Sequence, residues 1–121
     1  MILVDTSVWI DHFRRSEPGL VSALEDESVV THPFVFGELA CGNIRNRTEI
    51  LDLIGRLPTP PIATDREALD LIDRFKLRAK GIGYIDVHLL ASTLLMPAAR
   101  LWTKDRRLAT IASELKIARR H

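Results

Sequence analysis

The sequence predicts an α/β fold, an α/β/α sandwich around a short central parallel sheet of four to five strands. Three observations predict it. Short β-rich apolar runs at Ile2 to Val4, Ser28 to Thr31 and Arg100 to Thr103 alternate with segments whose apolar residues recur at helical spacing. The stretch between the first two runs is long enough for the helical crossover that parallel pairing needs. Acidic residues stand at the ends of runs, where an open α/β sheet binds its ligands. A chain of 121 residues can bury roughly two thirds of its unfolded surface, so one domain spanning 1–121 is expected.

Each element has its own signal. Ile2, Leu3 and Val4 suit a strand buried on both faces, and Asp5 ends it. Thr6 and Ser7 can cap a helix beginning at Val8 and Trp9, although Asp5 can also serve as that cap. Leu20, Val21, Ala23 and Leu24 mark a second helix, and Val29 and Val30 the second strand. Pro33 opens a third helix through Cys41, with Gly42 as its stop and Glu38 inside it. Asn46 to Glu49 has capping-box spacing ahead of Ile50, Leu51, Leu53, Ile54 and Leu57, and Thr64 to Glu67 repeats that spacing. Behind the second box, Ala68, Ile72, Phe75 and Ala79 form an amphipathic stripe. Tyr84 to Met96 is apolar on nearly every side, so this helix should be the most buried, with Asp86 near its start. Arg100 to Thr103 leads into Asp105, Leu108 to Leu115 gives a last helix, and Lys116 to Ala118 a final edge strand. His121 is expected to lie at a frayed terminus.

Composition excludes several classes. A hydrophobic fraction of 46% with 27% charged residues excludes disorder. A net charge of +1 argues against a strongly basic nucleic-acid coat, yet an acidic centre balanced by a basic rim gives the same sum. Arginine outnumbers lysine, which favours planar phosphate contacts, and Arg14, Arg15, Lys104, Arg106 and Arg107 are the expected rim. Cys41 is the lone cysteine, so no intrachain disulfide can form, and it is expected as a small buried hydrophobe. The longest near-apolar run, Leu89 to Ala99, is too short for a membrane span and contains Pro97, so a cytoplasmic protein without membrane association is expected.

The chemistry rests on Asp5, Glu38, Asp86 and Asp105. Each has a purely structural alternative, as when Asp86 complements a helix dipole. Parallel strands joined by right-handed crossovers nonetheless bring Asp5 and Asp105 to one sheet edge. Two carboxylates about 5 Å apart at an effective dielectric of about 20 repel by roughly 3 kcal/mol, a cost that a divalent cation removes. Oxygen-only ligands select hard ions such as Mg²⁺, the equipment for phosphodiester hydrolysis by an activated water.

Asp5-Thr6-Ser7-Val8-Trp9-Ile10-Asp11, Gly37-Glu38-Leu39-Ala40, Asp86 with Leu89-Leu90-Ala91-Ser92, and Leu101 to Leu108 resemble the ordered acidic motifs of PIN-domain ribonucleases. Size and N-terminal motif resemble most the VapC toxins of bacterial toxin-antitoxin pairs. The resemblance covers essentially the whole chain. It implies a PIN-like fold, a Mg²⁺ or Mn²⁺ site made by Asp5, Glu38, Asp86 and Asp105, and support from Thr6 and Thr103. It also implies an RNA substrate, a homodimer, and a VapB-type antitoxin whose C-terminal segment covers the active-site groove. His88 departs from the family, which often has a small residue there, and leaves a local role open. A phosphoacceptor receiver-like domain and a non-catalytic PIN-like binding module are the alternatives.

Overall fold

The structure, a computed structural model, describes residues 1–119, so the expectation for His121 lies outside the described residues. Ten elements follow one another: β1 (Ile2–Val4), α1 (Thr6–Arg14), α2 (Pro18–Glu25), β2 (Val29–Val30), α3 (Pro33–Cys41), α4 (Arg47–Gly55), α5 (Asp65–Phe75), α6 (Tyr84–Leu95), β3 (Arg100–Trp102) and α7 (Arg106–Glu114). β1 is the middle strand of a parallel sheet of order β2-β1-β3. Its register sets Ile2 opposite Arg100, Leu3 opposite Leu101 and Val4 opposite Trp102. Leu3 and Val4 are fully buried, as a central strand covered on both faces requires.

The sheet has three strands among the described residues, fewer than the four to five expected. The segment read as an edge strand contributes one parallel bridge, Ala118 to Leu101. Lys116 takes a left-handed turn at φ 63°, leaving only the residues beyond it to run along β3. There Leu101 N donates to Ile117 O at 2.7 Å and Arg119 N to Leu101 O at 2.9 Å.

α6 is the spine of the core. Val87 to Thr93 are buried without interruption, because an almost wholly apolar helix has no face to give to water. Thr93 returns its hydroxyl to Leu89 O at 2.8 Å, which makes it tolerable there. α6 packs on β3 on one side and on α5 on the other. α5 begins with the expected capping box, Glu67 N to Thr64 Oγ1 at 3.1 Å and Thr64 N to Glu67 Oε1 at 2.9 Å. Its buried residues are Ala68 and Leu71, whereas Phe75 is exposed and Ala79 lies beyond the helix.

Other local expectations change. α1 starts two residues earlier than expected, with Asp5 in the N-cap position in extended conformation but making no cap bond. Asn46 does not close a capping box. Its backbone is left-handed (φ 55°, ψ 40°), and a side-chain cap needs an extended residue. Only Ile54 of the α4 stripe is buried, and Leu53 is 59% exposed. Cys41 is exposed, not buried, because α3 turns Val35 and Leu39 inward and ends at Gly42, leaving Cys41 outside that face. Among the described residues no helix is long and apolar enough to cross a membrane.

Candidate active site

Asp5 is where strand chemistry becomes site chemistry. Its N–H still belongs to the ladder, donating to Trp102 O at 2.9 Å. One position further along β3, Thr103 Oγ1 therefore reaches Asp5 Oδ2 at 2.7 Å. Ser7, in the first turn of α1, donates to the same oxygen at 2.8 Å. Ser7 Oγ in turn accepts from Lys104 N at 3.0 Å, and Thr103 Oγ1 accepts from Asp105 N at 3.1 Å. Two hydroxyls thus hold a buried carboxylate, 7% exposed, and are themselves held by the backbone after β3.

The other three acids come from three other elements. Glu38, exposed on α3, accepts from Thr6 Oγ1 at 2.7 Å. Asp105 caps α7 by accepting from Leu108 N at 3.0 Å. Asp86, half-buried in the first turn of α6, accepts from Gly83 N at 3.1 Å. Burial raises the Asp86 pKa, opposed by the Gly83 bond and reinforced by the negative charges of Asp5, Asp105 and Glu38. One carboxylate therefore feels the other three. Asp86 interacts by charge with the other three predicted acids, and Thr6 and Thr103 each bond to one of the four. Ser7 was missed as a site residue, since its sequence signal was only that of a helix cap.

The predicted rim divides. Arg14, Arg15, Arg106 and Arg107 are exposed. Arg107 also lies over Gly81, whose φ of 83° favours glycine and where a Cβ would stand 2.5 Å from Arg107 Cδ. Lys104 is tied to Glu17 at 2.7 Å and to Asp11 at 3.1 Å. The Glu17 bond is the chief cause that raises the Lys104 pKa, and Lys104 in return lowers that of Glu17. A lysine shared by two carboxylates offers less to a phosphate than a free one.

A cavity of about 830 Å³ contains none of the four acids. It is an apolar groove between α1 and α4, floored by Trp9, Phe13, Ile50 and Ile54, with Arg14 and Arg45 among its lining residues. α1 joins the two places, since Thr6 is at its acidic end and Phe13 at its groove end.

Whether the acids suit a metal is decided by their chemistry. Among the described residues no three His, Cys, Asp or Glu side chains are grouped so as to hold an ion by themselves. A hard ion of the Mg²⁺ kind does not need that, because it takes one or two carboxylates, keeps water and completes its shell with substrate phosphate. The donor set here is oxygen only, one member is fixed by two hydroxyls, and another bears a charge its surroundings disfavour. These residues fit such an ion.

A parallel sheet with carboxylates gathered beyond the carboxyl ends of β1 and β3 defines an α/β domain of the acidic-site class. The particular family is settled by comparison: the family model for the PIN domain matches residues 2–114, and this chain belongs to that family. It is 45% identical over 118 residues to Ribonuclease VapC32 of Mycobacterium tuberculosis strain CDC 1551 / Oshkosh, covering 98% of this chain and 95% of that protein. The same figures hold for Ribonuclease VapC32 of strain ATCC 25618 / H37Rv. Membership of the PIN family removes the receiver-like alternative.

The Asp86 shift has a testable consequence. A carboxyl whose folded pKa is raised favours the fold while protonated, and that contribution is lost as pH rises through the raised value. Asp86→Asn is therefore expected to have a higher melting temperature than the wild type at pH 7 in EDTA, with the gap closing below the ordinary carboxylate range. Thermal melts across pH check this, and a lower melting temperature at pH 7 would contradict it.

Proposed function

We propose that this chain is a metal-dependent endoribonuclease, the toxin of a VapBC-type pair, hydrolysing RNA phosphodiesters with an activated water. The observation that carries this reading is the shared negative field at Asp86, to which acids from three other elements contribute. The likeness to Ribonuclease VapC32 supports RNA as the substrate. Asp5, Glu38, Asp86 and Asp105 would hold Mg²⁺ or Mn²⁺, with Thr6 and Thr103 supporting Glu38 and Asp5. Such an ion, when bound, supplies Lewis acidity and lowers the pKa of water. The chain's own part is positional. Ser7 and Thr103 aim Asp5, Thr6 aims Glu38, and the bond from Gly83 N holds Asp86 in the first turn of α6. Arg14, Arg15, Arg106 and Arg107 would take backbone phosphates, with Lys104 adding less because of its two carboxylate partners.

The antitoxin reading also gains a surface. A VapB-type partner is expected to lay a segment over the chain, and the apolar groove beside α1 offers room for an amphipathic helix. Arg14 and Arg45 in its lining favour acidic flanks on that helix. Leftover apolar surface at Leu69, Phe75, Leu94 and Leu95 on α5 and α6 supports a homodimer. A cytoplasmic setting suits a protein that acts on cellular RNA.

Asp5→Asn is expected to lose several kcal/mol of transition-state stabilisation, about a hundredfold or more in rate, while remaining folded. Incubating both proteins with total cellular RNA and Mg²⁺ and mapping new 5′ ends reads activity and target together. Equal cleavage by the variant would refute the assignment. Neutralising Arg14 or Arg106 is expected to lower the salt slope of RNA binding by about 0.7 to 1 unit each. An unchanged slope in both would place the phosphate contacts elsewhere. For the partners, light scattering during size exclusion should give a dimer alone and a larger complex with the antitoxin. Leu53→Glu should keep the dimer and lose the complex, and a complex of undiminished affinity would move the antitoxin off this groove.

A further inference from the structure

His32 and His88 are buried among the described residues, at 0% and 2% exposure, and the acidic site uses neither. One nitrogen of each ring is engaged, which fixes where the proton sits. His32 Nδ1 accepts from Phe34 N at 3.0 Å. That nitrogen carries no proton, so the neutral ring is a donor at Nε2. Burial first, and His88 second, lower the His32 pKa to about 4, which keeps the ring neutral at pH 7. His88 Nε2 faces Asp65 Oδ1 at 3.2 Å. An ionised carboxylate only accepts, so Nε2 of His88 carries a proton, and in the neutral ring its Nδ1 presents a lone pair.

The two remaining nitrogens are a donor and an acceptor, both buried and without a protein partner among the described residues. The ring centroids are 6.4 Å apart. With each nitrogen about 1.2 Å from its centroid, they approach no closer than about 4 Å, too far for a direct bond, so a link between them needs a bridging water. Ser92, one turn beyond His88 on α6, has a buried hydroxyl without a partner among the described residues, a third polar atom of the number a buried water needs.

We propose that Asp65, His88, one internal water and His32 form a hydrogen-bonded chain, and that this chain positions Glu38 and Asp86 relative to each other. The second half of the statement rests on the nuclease reading. His32 is the N-cap of α3, the helix of Glu38, and His88 lies two residues beyond Asp86 in α6. Asp65 opens α5 and also accepts from Tyr84 Oη at 2.8 Å, at the first residue of α6. Three helix starts are thereby fastened together. Tyr84 and Phe34 pack edge-on against the His88 ring at 4.7 and 5.1 Å and fix its plane. Asp65 is 82% exposed, so its bond orients the ring more than it stabilises the fold.

Two substitutions separate the links. His32→Asn keeps an acceptor for Phe34 N and removes the Nε2 donor, while His88→Asn keeps an acceptor in the place of Nδ1 and removes the contact with Asp65. Ring ¹⁵N–¹H correlation spectra of the intact wild type should show both histidines as Nε2–H tautomers, with a slowly exchanging His32 proton. In RNA cleavage with Mg²⁺ each variant should lose about tenfold in kcat with KM changed less than about twofold. The double variant should be no slower than the slower single. A His88 proton on Nδ1, unchanged kcat in folded His88→Asn, or additive losses would overturn the proposal. An inactive wild type with both tautomers as stated would sink the nuclease reading. It would sink the chain too only if His32→Asn left the Asp86 and Glu38 resonances unmoved, and their movement would uphold the coupling.

Discussion

The register of β1 against β3 is the constraint on which the site depends. Val4 lies opposite Trp102, Asp5 N continues the ladder to Trp102 O, and Thr103 Oγ1 then meets Asp5 Oδ2. A slip of one residue would turn every side chain of β1 to the other face and separate that pair. The pairing is enforced from below, where Leu3, Val4, Leu101 and Trp102 are buried and the apolar length of α6 packs on β3. The hydrophobic core thus sets the position of a carboxylate it does not touch chemically.

Charge works against the same arrangement. Burial raises the pKa of Asp86 and the nearby charges of Asp5, Asp105 and Glu38 raise it further, so the ionised site is a local loss for the fold. Hydroxyls and backbone amides offset part of that loss: Ser7 and Thr103 at Asp5, Thr6 at Glu38, Gly83 N at Asp86 and Leu108 N at Asp105. Each acid is oriented by a neutral donor, which fixes direction without cancelling charge. Lys104 stands close by in sequence but is shared between Asp11 and Glu17, away from the four. The cluster is left to attract a cation from outside, and the proposed function follows from that imbalance.

α1 gives the molecule a second theme. Its first turn carries Thr6 and Ser7 into the acidic site, and its last turn carries Phe13 and Arg14 to the apolar groove. A partner lying in the groove would rest on the same rigid helix that orients Glu38 and Asp5. Inhibition of catalysis by a helix docked there has a short physical route.

Much of this was legible in the chain itself. Continuous apolar runs marked β1 and α6, the Thr64 to Glu67 spacing marked the start of α5, and acids at the ends of strands marked the site, because burial and capping act over a few neighbouring residues. Tertiary structure decided the rest. Asn46 has the side chain of a cap but a left-handed backbone, Cys41 has the character of a core residue but sits off the buried face of α3, and Leu53 of the α4 stripe is left uncovered. Ser7 donates to Asp5 instead of capping the helix, and its hydroxyl meets Thr103 and Lys104 N, which strand pairing brings from the far end of the chain. Local periodicity reports which side of an element faces inward. Which distant residues meet there depends on strand pairing and register, which no single stretch of sequence contains.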